Sequence, residues 1–386
     1  MNYLDYSAST PVAPRVFEAM LPFLQESWGN PSSPYRFGNK ARTAVERARK
    51  RIAGHLGCRP TELVFCSSGT EADNLALRGV AHALRSKGNH IVVSAIEHHA
   101  VLHTCKALEA EERQVTYVPV TADGVVDLDA LGGSLRADTV LVSVMHANNE
   151  TGVIQPVEEI AGLAHRRGVV FHTDAVQSAG KLAGMLAGLG ADLVTVSAHK
   201  LYGPKGAAAL YVRQGTSISP VTTGGAQELG LRAGTENVAA IVGFAEAVAL
   251  AFEGVDAEGR RQAQLRNRLE QEVTAAIRAV RVNGARAQRL PNTSSLSFEA
   301  VDGESIVLGL DMQGICVSTG SACSTGEPEP SHVLRSMGLS REEAQGTIRV
   351  SLGHETREQD IDYTVRVLAE TVARLRQISS VRGGVE

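Results

Sequence analysis

The sequence predicts an α/β protein built on a mostly parallel sheet, and three features carry that expectation. Short β-branched runs alternate with stretches of helical periodicity between about residues 60 and 212, the pattern of strands joined by crossover helices. One run, 139–145 (TVLVSVM), is almost wholly apolar, as a strand covered on both faces must be. The chain has 386 residues, 43% hydrophobic and 21% charged, which is enough core for one large domain and a smaller companion.

Taken in order, strands are expected at 61–66, 89–94, 115–119, 139–145, 169–173, 191–197 and 207–212, with helices at 71–86, 100–111 and 157–166 between them. Beyond about 230 the texture changes. A long helical region is expected over 235–279, including an alanine-rich apolar stretch at 238–252 and a charged amphipathic one at 260–272. Strands at 293–298 and 347–351 and helices at 303–313 and 331–337 then alternate on a smaller scale. The division expected is an N-terminal segment 1–15 packing with a small domain, a large domain 16–254, and a small α+β C-terminal domain 255–386. The polar tail 379–386 is expected to fray.

Composition excludes some functions. Thirty-eight Lys and Arg against 42 Asp and Glu leave a net charge of −4, which argues against a dedicated nucleic-acid or anionic-membrane binder. The opening MNYLDYSAST has no basic region followed by an apolar run, so no secretory signal is expected. No stretch reaches the length of a membrane span. Five cysteines without a CxxC pair offer no metal or disulfide framework and suit a reducing compartment. His99 and His103 share a helical face, but no acidic or thiol partner lies close in sequence, so no metal site is expected.

Chemistry-bearing residues gather where strands end, which is where open α/β sheets hold ligands. Lys200 follows a strand in VTVSAHKLYGPKG. An isolated lysine there is usually solvated; one kept partly unprotonated can form a Schiff base with a carbonyl cofactor. Asp174 follows another strand in VVFHTDAVQS. It reads as a helix cap, or as the carboxylate that holds a pyridine nitrogen protonated. SSGTEADN at 67–74 sets small hydroxyls and free N–H groups between a strand and a helix, a cradle for one phosphate or a capped helix with Thr70 as cap. His98 in IEHHAV could lie on an aromatic ring or move a proton. Cys58, Cys66, Cys105 and Cys316 sit in ordinary apolar contexts and read as structural. Cys323 is different, lying in STGSACSTGEPEP, a run unable to bury itself, so its thiol is expected on an exposed loop and reactive.

Together these strings resemble the NifS/IscS-type cysteine desulfurases, pyridoxal-phosphate enzymes of the class V aminotransferase family with the fold of the aspartate aminotransferase superfamily. The resemblance runs nearly end to end, through LDYSAST (4–10), GNPSS (29–33), SSGTEADN (67–74), EHHAV (97–101), HANNETG (146–152), DAVQ (174–177), SAHKLYGPKG (197–206), LRAGTEN (231–237) and STGSACSTG (318–326). It lacks the RxGHHCA-like string of the SufS group. It implies fold type I of the pyridoxal-phosphate-dependent transferases, with a mostly parallel seven-stranded sheet in the large domain. Carried over by position, it makes Lys200 the lysine that attaches the cofactor, Asp174 the partner of the ring nitrogen and Gln177 the partner of the ring hydroxyl oxygen. His98 would stack on the ring and transfer protons. Gly69, Thr70, Ser197 and His199 would hold the phosphate, and Thr235 would reach the phosphate of the other copy in a homodimer. Asn149 would touch ring or substrate, Arg349 would clamp the substrate carboxylate, and Cys323 would be the nucleophile. The implied reaction takes sulfur from L-cysteine as a persulfide on Cys323, releases L-alanine, and passes sulfur to an iron–sulfur scaffold or another acceptor in the cytoplasm. Departures are Tyr35, where relatives often carry histidine, and His99, where they often carry lysine. A selenocysteine lyase or an aminotransferase could use the same fold and cofactor, though an aminotransferase needs no loop thiol. A non-enzymatic cluster scaffold would rely on Cys316, Cys323 and His332.

Overall fold

The computed structural model describes residues 1–184, 186–319 and 330–382. Its strands are β1 (Asn2–Tyr3), β2 (Leu63–Cys66), β3 (His90–Ser94), β4 (Gln114–Val118), β5 (Thr139–Ser143), β6 (Val170–Asp174), β7 (Leu193–Ser197), β8 (Ala208–Val212), β9 (Val280–Val282), β10 (Thr293–Phe298), β11 (Ile315–Cys316) and β12 (Thr347–Ser351). Seven form one sheet in the order β2-β8-β7-β6-β5-β3-β4. β8 runs antiparallel to both of its neighbours and the remaining pairs are parallel. This is the mostly parallel seven-stranded sheet expected.

The sheet is covered on both faces because side chains alternate along each strand. Leu63, Phe65, Val92, Val142, Val194 and Val196 face a cluster shared with helices Pro14–Gln25, Arg36–Leu56, Val157–Arg166 and Val238–Phe252. Val64, Cys66, Ile91, Val93 and Leu193 face the opposite way, against helices Gly69–Ala83 and His99–Ala110. β2, β3, β5 and β7 are buried at every position, which is why their sequences lack polar alternation.

A separate apolar cluster joins Leu4 to Leu265, Leu269, Leu296, Ile306, Ile348 and Leu368. It lies against the antiparallel sheet β12-β10-β9. β1 pairs in parallel with β11, Asn2 opposite Ile315.

Several expectations change. The helical region 235–279 is two helices, Val238–Phe252 and Val255–Ala276, bent by 71°. Gly254 sits between them at φ 74°, a left-handed conformation that glycine adopts without a Cβ clash. The helices Pro14–Gln25, Arg36–Leu56, Leu128–Ser134 and Glu358–Arg382 have no counterpart in the sequence reading. The last of them runs on to Arg382, past the point where fraying was expected. No single helix among the described residues is long and apolar enough to cross a membrane.

Candidate active site

The C-terminal ends of β2, β3, β5, β6 and β7 lie along one edge of the sheet, β2 separated from β7 by the antiparallel β8, and deliver residues to one cavity of about 500 Å³. Ser68, Gly69 and Thr70 come after β2, His98 after β3, Asn149 after β5, Asp174 and Gln177 from β6, and Ser197, His199 and Lys200 from β7. Arg349 enters from β12 and Ser7 from the N-terminal segment.

The cap of helix Gly69–Ala83 is Ser68, whose Oγ accepts from the Glu71 N–H at 3.1 Å, not Thr70. A hydroxyl one residue before the first turn meets the N3 donor; Thr70 is already inside that turn. The remaining first-turn N–H groups and the helix dipole favour an anion here. A Cβ on Gly69 would stand 3.0 Å from Val176 Cγ2, close enough that the valine would have to give by a few tenths of an ångström.

Lys200 Nζ donates to the main-chain oxygens of Ser7 (2.6 Å) and Ala8 (2.8 Å). Burial and the Arg349 cation push it down to about 8, while Asp5 and Asp174 oppose that shift. Asp174 Oδ1 accepts from the Val176 N–H at 2.8 Å, a turn in place of the helix cap that its position also suggested. Burial raises Asp174, to about 6. Asp73, on helix Gly69–Ala83, also lines the cavity. Burial, Asp174 and Glu97 hold it well above the usual carboxylate range, and its Oδ1 has no hydrogen-bond partner.

His98 Nδ1 accepts from the Ala100 N–H at 3.1 Å, which assigns the ring proton to Nε2. Desolvation, Lys200 and neighbouring histidines push His98 down to about 4, so the ring is neutral at pH 7. His199 is lowered to about 4 by burial and nearby lysines; its Nδ1 lies 3.3 Å from Ser9 Oγ. Gln177 Nε2 donates to Ser7 O at 3.0 Å. Arg349 donates to Asn149 O (2.9 Å) and Asp5 Oδ1 (2.7 Å), with Nε unpartnered.

Of the residues singled out in the sequence, Gly69, Thr70, His98, Asn149, Asp174, Gln177, Ser197, His199, Lys200 and Arg349 line this cavity. Thr235 does not; it is exposed elsewhere on the chain. Cys323 lies outside the described residues. On either side of that segment, Ser318 and Arg349 exchange main-chain hydrogen bonds of 3.1 and 2.6 Å, and Ser331 Oγ donates to buried Glu150. His99 lies with its ring centroid 4.8 Å from that of His103 and 4.9 Å from that of His332. Among the described residues no group of His, Cys, Asp and Glu is placed to hold a metal ion. Ser7, Ala8, Asp73, Met145, Val176 and Ser318 also line the cavity and escaped the sequence reading. Only the LDYSAST string carried a signal for the first two.

The donor set fits pyridoxal phosphate. A depressed lysine, a buried carboxylate with one oxygen committed to a turn, and a glycine-bearing helix N-terminus share one cavity of suitable size. Residues 2–364 match the family model of class V aminotransferases, and the chain belongs to that family; it depends on pyridoxal phosphate. Within the family it is similar to cysteine desulfurase IscS of Dictyoglomus turgidum, 50% identical over 377 residues that cover 98% of this chain and 96% of that one. Among solved structures it is similar to a NifS-like protein (TM-score 0.90, 38% identity, covering 96% of this chain and 99% of that one). It is also similar to SspA in complex with cysteine (TM-score 0.80, 36% identity, 91% and 99% covered).

Proposed function

We infer that this protein is a pyridoxal-phosphate-dependent cysteine desulfurase, taking sulfur from L-cysteine and releasing L-alanine. The observation that carries the reading is the meeting of Lys200, Asp174, His98 and Arg349 in one cavity, joined to 50% identity with a cysteine desulfurase over nearly the whole chain.

In this reading Gly69, Thr70, Ser197 and His199 hold the phosphate, Asp174 faces the ring nitrogen, and Gln177 and Asn149 meet the ring hydroxyl oxygen or substrate. Bound there, the cofactor supplies an electron sink for the bond pair released at the substrate α-carbon. Lys200 takes the α-proton; lowered to about 8, it has a larger free-base fraction near neutral pH than an ordinary lysine. His98 presents Nε2–H to the cavity as a proton carrier. Arg349, braced by Asp5 and Asn149, receives the substrate carboxylate. The Cys323 thiolate forms a bond to the substrate sulfur as the C–S bond breaks. The pair from that bond stays with the β-carbon, which takes a proton; the α-carbon regains the proton held by Lys200, the product leaves as L-alanine, and the persulfide is handed to an acceptor. An iron–sulfur scaffold or another sulfur acceptor is the partner proposed.

A homodimer belongs to the same proposal. Thr235 is exposed and away from its own cavity, the placement needed by a residue lent to a second copy. The division near residue 255 also belongs to it, with the apolar cluster around Leu4, Leu265 and Ile348 as a second core. A cytoplasmic location is proposed from the free thiols of Cys58, Cys66, Cys105 and Cys316.

The experiment is to follow sulfide and alanine in one reaction of purified yellow protein with L-cysteine and a thiol reductant. Equal amounts of both are expected. Alanine without matching sulfur, or neither product with any added acceptor, would overturn the reading.

A further inference from the structure

We propose that Lys181 is a positioning residue of this site, locking the Gln177 side-chain amide in the orientation that turns N–H, not oxygen, toward the cofactor cavity. Lys181 Nζ donates to Gln177 Oε1 at 3.1 Å, and Gln177 Nε2 donates to Ser7 O at 3.0 Å. Both partners are one-sided. An ammonium carries only donors and a main-chain carbonyl only lone pairs. Exchanging oxygen and nitrogen in the amide would set NH₂ against NH₃⁺ and one oxygen against another. The amide orientation, which geometry alone leaves ambiguous, is therefore enforced from both ends. One N–H of Nε2 is committed to Ser7; the second belongs to a residue that lines the cavity.

The same carbonyl of Ser7 accepts from Lys200 Nζ at 2.6 Å, so Lys181, Gln177, Ser7 and Lys200 form one hydrogen-bonded chain. Lys181 and Lys200 also share a small cavity of about 30 Å³ with Tyr6, Tyr202, Glu258 and His354. Burial, Lys200 and Arg349 push Lys181 down to about 7. A neutral amine keeps two N–H donors but gains a lone pair, so the lysine end is donor-only in its protonated form, while the Ser7 carbonyl is acceptor-only at any pH. The inference rests on the proposed reading, in which Gln177 meets the ring hydroxyl oxygen. There a locked donor stabilises that oxygen as an anion, whereas without Lys181 the amide is held from the Ser7 end alone and is freer to turn its oxygen toward the cavity.

The test is the pH titration of the visible absorption of the cofactor on Lys200, a readout that a merely structural lysine would not move. Loss of the donor makes the ring oxygen more basic, so the midpoint in Lys181→Met should rise by about one pH unit. Lys181→Arg should restore it. In a Gln177→Leu background the same Lys181→Met change should add no further shift. An unmoved midpoint in Lys181→Met overturns the proposal. So does an equal shift in both backgrounds, which would mean that the lysine charge acts directly. If Lys181→Met fails to fold or to bind cofactor, Lys181→Leu decides: it too removes the donor, and an unmoved midpoint in it overturns the proposal. Failure of the cofactor reading looks different: wild type without a visible band, or a band that survives in Lys200→Ala.

Discussion

Lys200 Nζ lies 2.6 Å from the main-chain oxygen of Ser7, a residue 193 positions earlier in the chain. That contact joins the end of β7 to the N-terminal segment, which is itself tied to β12 through the Asp5–Arg349 ion pair of 2.7 Å. The lysine and the arginine are thus positioned by the same stretch of chain, Asp5 to Ala8.

Lys200 is lowered to about 8, below the ordinary lysine value, and only the neutral amine attacks a carbonyl. The rate at which apoprotein takes up pyridoxal phosphate should rise with pH through about 8 and then level. Lys200→Ala should develop no visible band and lose turnover by about 10³-fold or more. Stopped-flow absorbance over a pH series checks the first, and alanine release the second.

Cys323 is the only nucleophile proposed for sulfur, so Cys323→Ser should leave the visible band intact and stop both sulfide and alanine. Mass spectrometry of wild type after a pulse of L-cysteine should show one added sulfur on the peptide containing Cys323. A sulfur found on Cys316 in its place would move the assignment.

Arg349 uses two arms of its planar fork on Asp5 and Asn149. Arg349→Lys keeps the charge and loses the fork. Its kcat/KM for L-cysteine should fall about 10–100-fold, mostly through KM. Steady-state kinetics on protein with full cofactor content checks this.

Glu97 is buried, accepts from Ser94 Oγ and the Met145 N–H, and has Oε2 unpartnered. Burial pushes it up to about 8, from an ordinary value of 4.5. A group raised on folding contributes stability that is complete below its unfolded pKa and is lost as pH rises through its folded pKa. Glu150, raised to about 7 by burial, acts in the same direction. Glu97→Gln should therefore match wild type near pH 5 and exceed it by about 2 kcal/mol at pH 8. Denaturant melts of the two proteins at both pH values provide the difference, in which shared buried histidines cancel.

Arg49, on helix Arg36–Leu56, donates twice to Glu228, at 2.7 and 2.9 Å, and Glu228 also accepts from the Phe65 N–H in β2. The pair is nearly closed to water, with side chains 10% and 1% exposed. Arg49→Met would leave a buried carboxylate uncompensated and should cost about 3–5 kcal/mol. Adding Glu228→Leu should recover part of that loss. Thermal denaturation of the single and double variants measures both.

The buried strands were legible because burial on two faces favours apolar, β-branched runs such as 139–145, whose polar Thr139 and Ser143 are hydrogen-bonded inside. Strands β10 and β12 and helix Val157–Arg166 fall at the residues expected. The helix Arg36–Leu56 was missed although Ala41, Val45, Ala48, Ile52 and Leu56 recur at helical spacing. They are diluted by a run of arginines and lysines on the solvent side. The site was legible where a residue belongs to a distinctive string, as Lys200 and Asp174 do. Asp73, although inside SSGTEADN, and Lys181 were not. One reads as a polar helix position until the sheet brings it against Asp174, and the other as a surface lysine until the turn after β6 sets it on Gln177, four residues earlier.

The strands of the large sheet, most of the helices between them and the strings at strand ends are written in the sequence, because local periodicity and residue chemistry need no knowledge of distant partners. Tertiary structure alone decided that Ser7 would hold both Lys200 and Gln177, that Arg349 would rest on Asp5, and that Lys200, Lys181 and Glu97 would depart from ordinary pKa values. Those properties come from desolvation and from contacts between residues far apart in the chain, and neither exists until the sheet has formed and the N-terminal segment has packed across its end.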